Sequence, residues 1–134
     1  MAYTRMHKDL RNRVDHTVAS VEYTVDAKGR TLGRVASDAA QALLGKKSVH
    51  YVRNKVLPVK VTIVNAAKLK LTEQRLKEKA YTRYTGHVGG LRHYTLVDLK
   101  AKKGISAVIR KAVDGMIPRN ALRKERMKRL TITD

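Results

Sequence analysis

Val59-Lys60-Val61-Thr62-Ile63-Val64-Asn65 is the stretch whose reading decides the fold. It is β-branched and mostly apolar, the pattern of an interior strand covered on both faces, and that places it at the centre of a sheet. Upstream, residues 21–26 (Val-Glu-Tyr-Thr-Val-Asp) alternate as a short strand does. Ala27-Lys28-Gly29-Arg30 follows as a turn in which Gly supplies unusual backbone angles. Between the two strands, Leu32, Val35, Ala36, Ala39, Ala40, Leu43 and Leu44 recur at the spacing of one buried helical face. Gly45 stands where a left-handed C-terminal cap belongs, with Lys46 and Lys47 just beyond it, where cations complement the helix dipole or grip a phosphate.

Downstream of the central strand, residues 68–72 alternate basic and apolar and read as a further strand. Residues 73–79 are polar and fit either one helical turn or a hairpin. Thr95 with Asp98 three residues later forms a capping-box pattern, Leu96 and Leu99 face inward, and Gly104 ends that helix. Ile105, Val108, Ile109, Ala112, Val113 and Met116 make a second strong helical stripe. Pro118 breaks the chain, Asn120 is a good N-cap, and residues 121–130 are expected to form a last short helix carrying Leu122, Met127 and Leu130. Strands interleaved with helices in this order predict an α/β domain with a largely parallel sheet covered on both sides. Residues 1–15 read as a flexible basic arm and residues 16–134 as one domain.

Charge sets the function classes. The chain has 30 Lys and Arg against 11 Asp and Glu over 134 residues, a formal net charge of +19, and the basic residues are spread along its whole length. Such a field attracts phosphate backbones and makes their binding strongly salt-dependent, so nucleic acid is the default partner. Six Tyr with no Trp or Phe leave little for base stacking. The absence of Cys removes disulfide frameworks, thiolate zinc sites and thiol catalysis, and suits a cytoplasmic setting. The longest apolar run, residues 56–67, is broken by Pro58 and Lys60 and is shorter than the roughly 20 residues of a spanning helix, so no membrane partner is expected.

The most unusual local sequence is Gly86-His87-Val88-Gly89-Gly90-Leu91-Arg92, preceded by Tyr81, Arg83 and Tyr84. Either it is an ordered loop whose amides, with His87, Arg83 and Arg92, hold ribose-phosphate, or it is a tight turn needing positive φ angles. It matches neither a dinucleotide fingerprint nor a Walker loop. The five His lack ligand spacing, so no metal is expected. Asp26, Asp38, Asp98 and Asp114 read as turn, cap and salt-bridge residues rather than as acid/base catalysts. Near the carboxyl end, Arg119, Arg123, Lys124, Arg126, Lys128 and Arg129 place six cations within eleven residues, a basic helix suited to docking into RNA.

Several of these segments together resemble the universal large-subunit ribosomal protein L13 family. They are Asp26-Ala27, Leu32-Gly33-Arg34-Val35-Ala36-Ser37, Leu44-Gly45-Lys46, Ile63-Val64-Asn65-Ala66, the glycine loop, and Ala112-Val113-Asp114-Gly115-Met116-Ile117-Pro118-Arg119-Asn120 with Leu122. Departures fall in loops and ends. Glu22 stands where the family usually has Trp, Val56-Leu57-Pro58-Val59 replaces its Asp-x-Gly-Asp turn, Glu73 and Arg123 replace glycines, and Tyr84 replaces a His. The chain stops at Asp134 without the polar tail of many bacterial members, so it reads as a trimmed, divergent member.

The resemblance implies a three-layer α/β/α fold with a mainly parallel sheet of about four strands, binding to large-subunit rRNA early in assembly, neighbouring ribosomal proteins as partners, and no catalytic activity. No cofactor, small-molecule substrate or homo-oligomer is expected. The residues expected to clamp rRNA are Arg30, Arg34, Lys46, Lys47, Arg53, Arg83, His87, Arg92, Arg119, Arg123, Lys124, Arg126 and Arg129. Loss of Arg126 or Arg129 should then lower the salt slope of binding by about 0.7 to 0.9 per phosphate contact. The alternatives are an architectural DNA-binding protein, an RNA-processing enzyme using His87, and regulation outside the ribosome through messenger RNA.

Overall fold

The computed structural model describes residues 19–134, and the arm expected over residues 1–15 lies outside them. Strand β1 (Val21–Asp26) runs parallel to β2 (Val59–Val64), from Val21 opposite Val59 to Asp26 opposite Val64. Parallel neighbours need a crossover, and helix α1 (Leu32–Leu44) supplies it. A short strand near the carboxyl end, β5 (Leu130–Ile132), adds in parallel to the other side of β2, with Val61 opposite Leu130. The order β1-β2-β5 puts the β-branched run in the middle, as its composition requires.

Between β2 and β5 the chain forms a 3-10 turn (Ala66–Lys68), helix α2 (Glu73–Glu78), strands β3 (Ala80–Tyr84) and β4 (Leu91–Thr95), and helices α3 (Leu96–Met116) and α4 (Leu122–Met127). The fold is α/β, as expected. Among the described residues the parallel sheet has three strands rather than about four, and β3 and β4 pair with each other as a separate antiparallel hairpin.

The core lies on one face of the sheet. Val59, Val61 and Ile63 of β2, Val25 of β1 and Leu130 of β5 are buried with Val35, Ala36, Ala39 and Leu43 of α1, and α3 packs on α1 through Val108, Ile109 and Val113. Burying an aliphatic side chain of this size stabilises by about 1.5 to 3 kcal/mol, so α1 is held mainly by its stripe. The opposite face departs from expectation. Glu22, Thr24, Asp26 and Lys60 are exposed, and Thr62 and Val64 are half-buried. The period-two alternation of a strand puts Lys60, Thr62 and Val64 together on that side, where Lys60 Nζ pairs with Glu22 of β1 at 3.2 Å. The continuous β-branched run therefore reflects strand propensity rather than coverage on both sides.

Local capping follows the sequence closely. Gly45 closes α1 at φ 81°, and a Cβ there would lie 2.5 Å from Leu57 Cδ1, so both the left-handed angle and the close approach of the next loop require Gly. Thr95 caps α3: its hydroxyl oxygen accepts from the Asp98 N–H while the Asp98 carboxylate accepts from the Thr95 N–H at 2.9 Å. Gly104, at φ 78°, interrupts α3 and divides it into two helical pieces, the second carrying the Ile105 stripe.

Two local expectations are corrected, and one segment left open is decided. Residues 68–72 form no strand beyond a single bridge between Lys70 and Thr31, because the 3-10 turn takes up their start. Residues 73–79 resolve as the helix α2. The carboxyl-terminal helix stops at Met127, and Ala121 rather than Asn120 occupies its N-cap, so Leu130 packs from a strand. Charge masks the β pattern of Leu130-Thr131-Ile132, because the basic run beside it dominates any local reading.

Candidate nucleic-acid interface

The glycine segment is the turn of the β3–β4 hairpin. Gly86 and Gly89 adopt φ values of 90° and 72°, and the Gly90 N–H donates to the His87 carbonyl at 2.9 Å. The tight-turn requirement is therefore real. A Cβ on Gly90 would fall 1.9 Å from Thr85 Oγ1, so the turn closes on its own side chains. Val88 stands fully out in solvent at its tip, and His87 beside it is exposed.

Hairpin register sets what this turn presents. Tyr81 opposes Tyr94, and Arg83 opposes Arg92. Residues two apart share a face, so the tyrosine pair and the arginine pair lie on one side of the ribbon. The tyrosine rings pack at 5.5 Å between centroids. Burial, and then the neighbouring Tyr94, push the Tyr81 phenol up from its ordinary value. Arg83 and Arg92 are exposed, and neither side chain makes a hydrogen bond or ion pair among the described residues. Like charges set directly opposite on a ladder destabilise it, so this pair is expensive without an anion. Lys102 and Lys103 of α3 line the same depression. Asp98, the acid in that group, is committed to its cap, and donation from the Thr95 backbone and then its hydroxyl holds the carboxyl below the usual carboxylate range. On the other side of the ribbon, Thr82 and His93 lie within hydrogen-bond distance, and Tyr84 and Leu91 are exposed.

The remaining expected clamps divide into two groups. Arg34, Lys46, Arg53, Arg119 and Lys124 are exposed, with no side-chain hydrogen bond or ion pair among the described residues. Lys47 is exposed over the ring of Tyr23, 5.4 Å from its centroid. The others are engaged within the fold. Arg30 pairs with Asp38 at 2.5 Å, and Arg123 grips the Asp114 carboxylate with two nitrogens. Arg129 Nη1 donates to the Leu57 carbonyl at 2.7 Å.

Arg126 is 2% exposed and donates to the carbonyls of Arg53 and Lys55. Burial pushes its guanidinium down from the ordinary arginine value, against a smaller opposing effect of Tyr51. This geometry does not suit a phosphate clamp. Asp26, Asp38, Asp98 and Asp114 hold a turn, an ion pair, a cap and an ion pair respectively. Cations that the sequence reading passed over, Arg75, Lys79 and Lys111, are exposed, and their signal lay only in being basic outside any motif. Among the described residues no group of three or more His, Cys, Asp and Glu could hold a metal ion, and no helix is long and apolar enough to cross a membrane.

The α/β domain thus joins a high net positive charge to a glycine-closed hairpin whose arginine pair has no ion-pair partner among the described residues. Residues 20–133 match the model of the family described as Ribosomal protein L13, and the chain belongs to that family. The family is structural and non-enzymatic. Among curated relatives, the chain is 40% identical over 117 residues to the large ribosomal subunit protein uL13 of Moorella thermoacetica, covering 87% of this chain and 81% of that one. It is 42% identical over 110 residues to the protein of the same name from Geobacter sulfurreducens, covering 82% and 76%. The corresponding Chlamydia pneumoniae protein is 38% identical over 110 residues, covering 82% and 73%.

Proposed function

We propose that this chain is a structural component of the large ribosomal subunit in the cytoplasm, and that residues 16–134 act as one rRNA-binding domain seated among neighbouring ribosomal proteins. The observation that carries the reading is the hairpin, in which Arg83 faces Arg92 with Lys102 and Lys103 alongside, four cations against the single carboxylate of Asp98. A ribose-phosphate segment supplies the missing charge, and the backbone of the glycine turn allows it close approach. Arg34, Lys46, Lys47, Arg53, Arg119 and Lys124 extend the contact by phosphate attraction rather than by reading bases. Arg30, Arg123 and Arg129 contribute through groups they already hold in place, and Arg126 acts as a strut.

Sedimentation of native extract through gradients at moderate and then high salt tests this. Stoichiometric retention of the protein with large subunits after the high-salt wash is expected. A protein that stays at the top of the gradient, or travels with DNA at both salts, overturns it.

A further inference from the structure

A second cationic groove adjoins the hairpin and is formed by residues outside the glycine turn. Its floor includes Leu96 and Ala112, and Arg75 and Lys79 approach from α2 and its end, Lys111 and Arg119 from α3 and just beyond it. None of these four side chains has a carboxylate within ion-pair reach among the described residues. Lys79 and Lys111 both stand over the ring of Tyr81, at 5.8 and 5.7 Å from its centroid. One aromatic ring thus gathers two like charges, an arrangement that an anion would complete.

Two helical glycines border the same groove. Gly33 lies in the first turn of α1 and Gly115 in the last turn of α3. Neither glycine is held in place by packing or by a positive φ. A Cβ on Gly115 would meet nothing within 4 Å, and one on Gly33 would meet only Arg75 Nη1 at 4.0 Å. The backbone at both places is bare toward a cationic groove, with no demand from the fold to keep it so.

We propose that this groove is a second phosphate-backbone site, in which an RNA strand leaving the hairpin passes close over the backbone at Gly33 and Gly115 while Arg75, Lys79, Lys111 and Arg119 hold its phosphates. The inference rests on the rRNA-binding reading above and assigns it a further surface. Tyr81 lines the groove and packs on Tyr94, which lines the depression beside Arg83 and Arg92, so the two adjoin at this ring pair.

The test uses the full chain, large-subunit rRNA, and affinity measured across a salt series alongside thermal midpoints. For Gly33→Ala and Gly115→Ala, the midpoint is expected to stay level or rise while affinity falls about tenfold, the equivalent of one charge-assisted contact. The double variant Lys79→Gln/Lys111→Gln is expected to lower the salt slope by about 1.5. If those variants bind as the unaltered chain does while an Arg83→Thr/Arg92→Thr variant loses slope, the groove is not a site and the rRNA reading stands. If the unaltered chain shows no salt-dependent binding to rRNA, the groove and that reading fall together.

Discussion

Arg126 donates its guanidinium to the Lys55 carbonyl at 3.3 Å across 71 positions of sequence, from a side chain almost withdrawn from solvent. Arg129 does the same for the Leu57 carbonyl, so two arginines of the basic run hold the carboxyl-terminal end of the loop between α1 and β2. This loop leads directly into the central strand, and the Leu57 carbonyl also accepts from the Val59 N–H at 2.8 Å.

Arg126→Ala is therefore expected to destabilise by about 1.5 to 3 kcal/mol, since it removes charged hydrogen bonds to the carbonyls of Arg53 and Lys55. Urea unfolding checks the stability. The salt slope of RNA binding should stay close to that of the unaltered chain once folding is restored by lower temperature, in contrast to the loss that an exposed clamp would cause.

Arg83→Thr should separate folding from binding. It relieves like charges set opposite each other, so the hairpin is expected to be as stable as before or more so, by up to about 1 kcal/mol. Salt dependence of rRNA binding should fall by about 0.7 to 0.9 in slope. A slope that does not move would mark Arg83 as merely solvated.

Gly45→Ala is expected to cost about 2 to 4 kcal/mol. The left-handed angle strains any residue with a Cβ, and the new methyl meets Leu57. Thermal unfolding reads the loss directly, and Gly45→Ala should cost less when made in a Leu57→Ala chain and measured against Leu57→Ala alone, by the part that comes from the clash.

The Thr95–Asp98 cap predicts a pH dependence. Asp98 has a folded pKa below its ordinary 3.8, caused first by donation from the Thr95 backbone. A depressed carboxyl contributes stability that is fully present above 3.8 and lost as pH falls through the folded value. Asp26 behaves alike, held low first by the Lys28 N–H and then by Asn65. Asp98→Asn should flatten the acid limb of the stability curve, and Thr95→Ala should raise the Asp98 pKa in a carboxyl-carbon NMR titration.

Some of these features were open to reading in one dimension. The α1 stripe with its Gly45 cap, the β1 and β2 segments, the Thr95–Asp98 box and the break at Gly104 all depend on residues within a turn or two of each other, where a period of 3.6 or 2 is written directly in the order of side chains. The family was legible for the same reason, since its motifs are local blocks in a fixed order. Leu130-Thr131-Ile132 was not legible, because three residues of alternation cannot outweigh the adjacent basic run, and only the edge of β2 makes them a strand.

The clamp residues show the same boundary. Composition determined that this protein is a polycation, because charge is a sum over the chain, and the order of its apolar residues determined the aliphatic stripes of its α/β core. Only the tertiary structure decided which cations remain to bind anything. Arg126 and Arg83 are the same residue type, yet one is sealed against loop carbonyls and the other stands opposite a second arginine in solvent. Burial of a long charged side chain depends on acceptors brought from dozens of residues away, and no local pattern encodes that meeting.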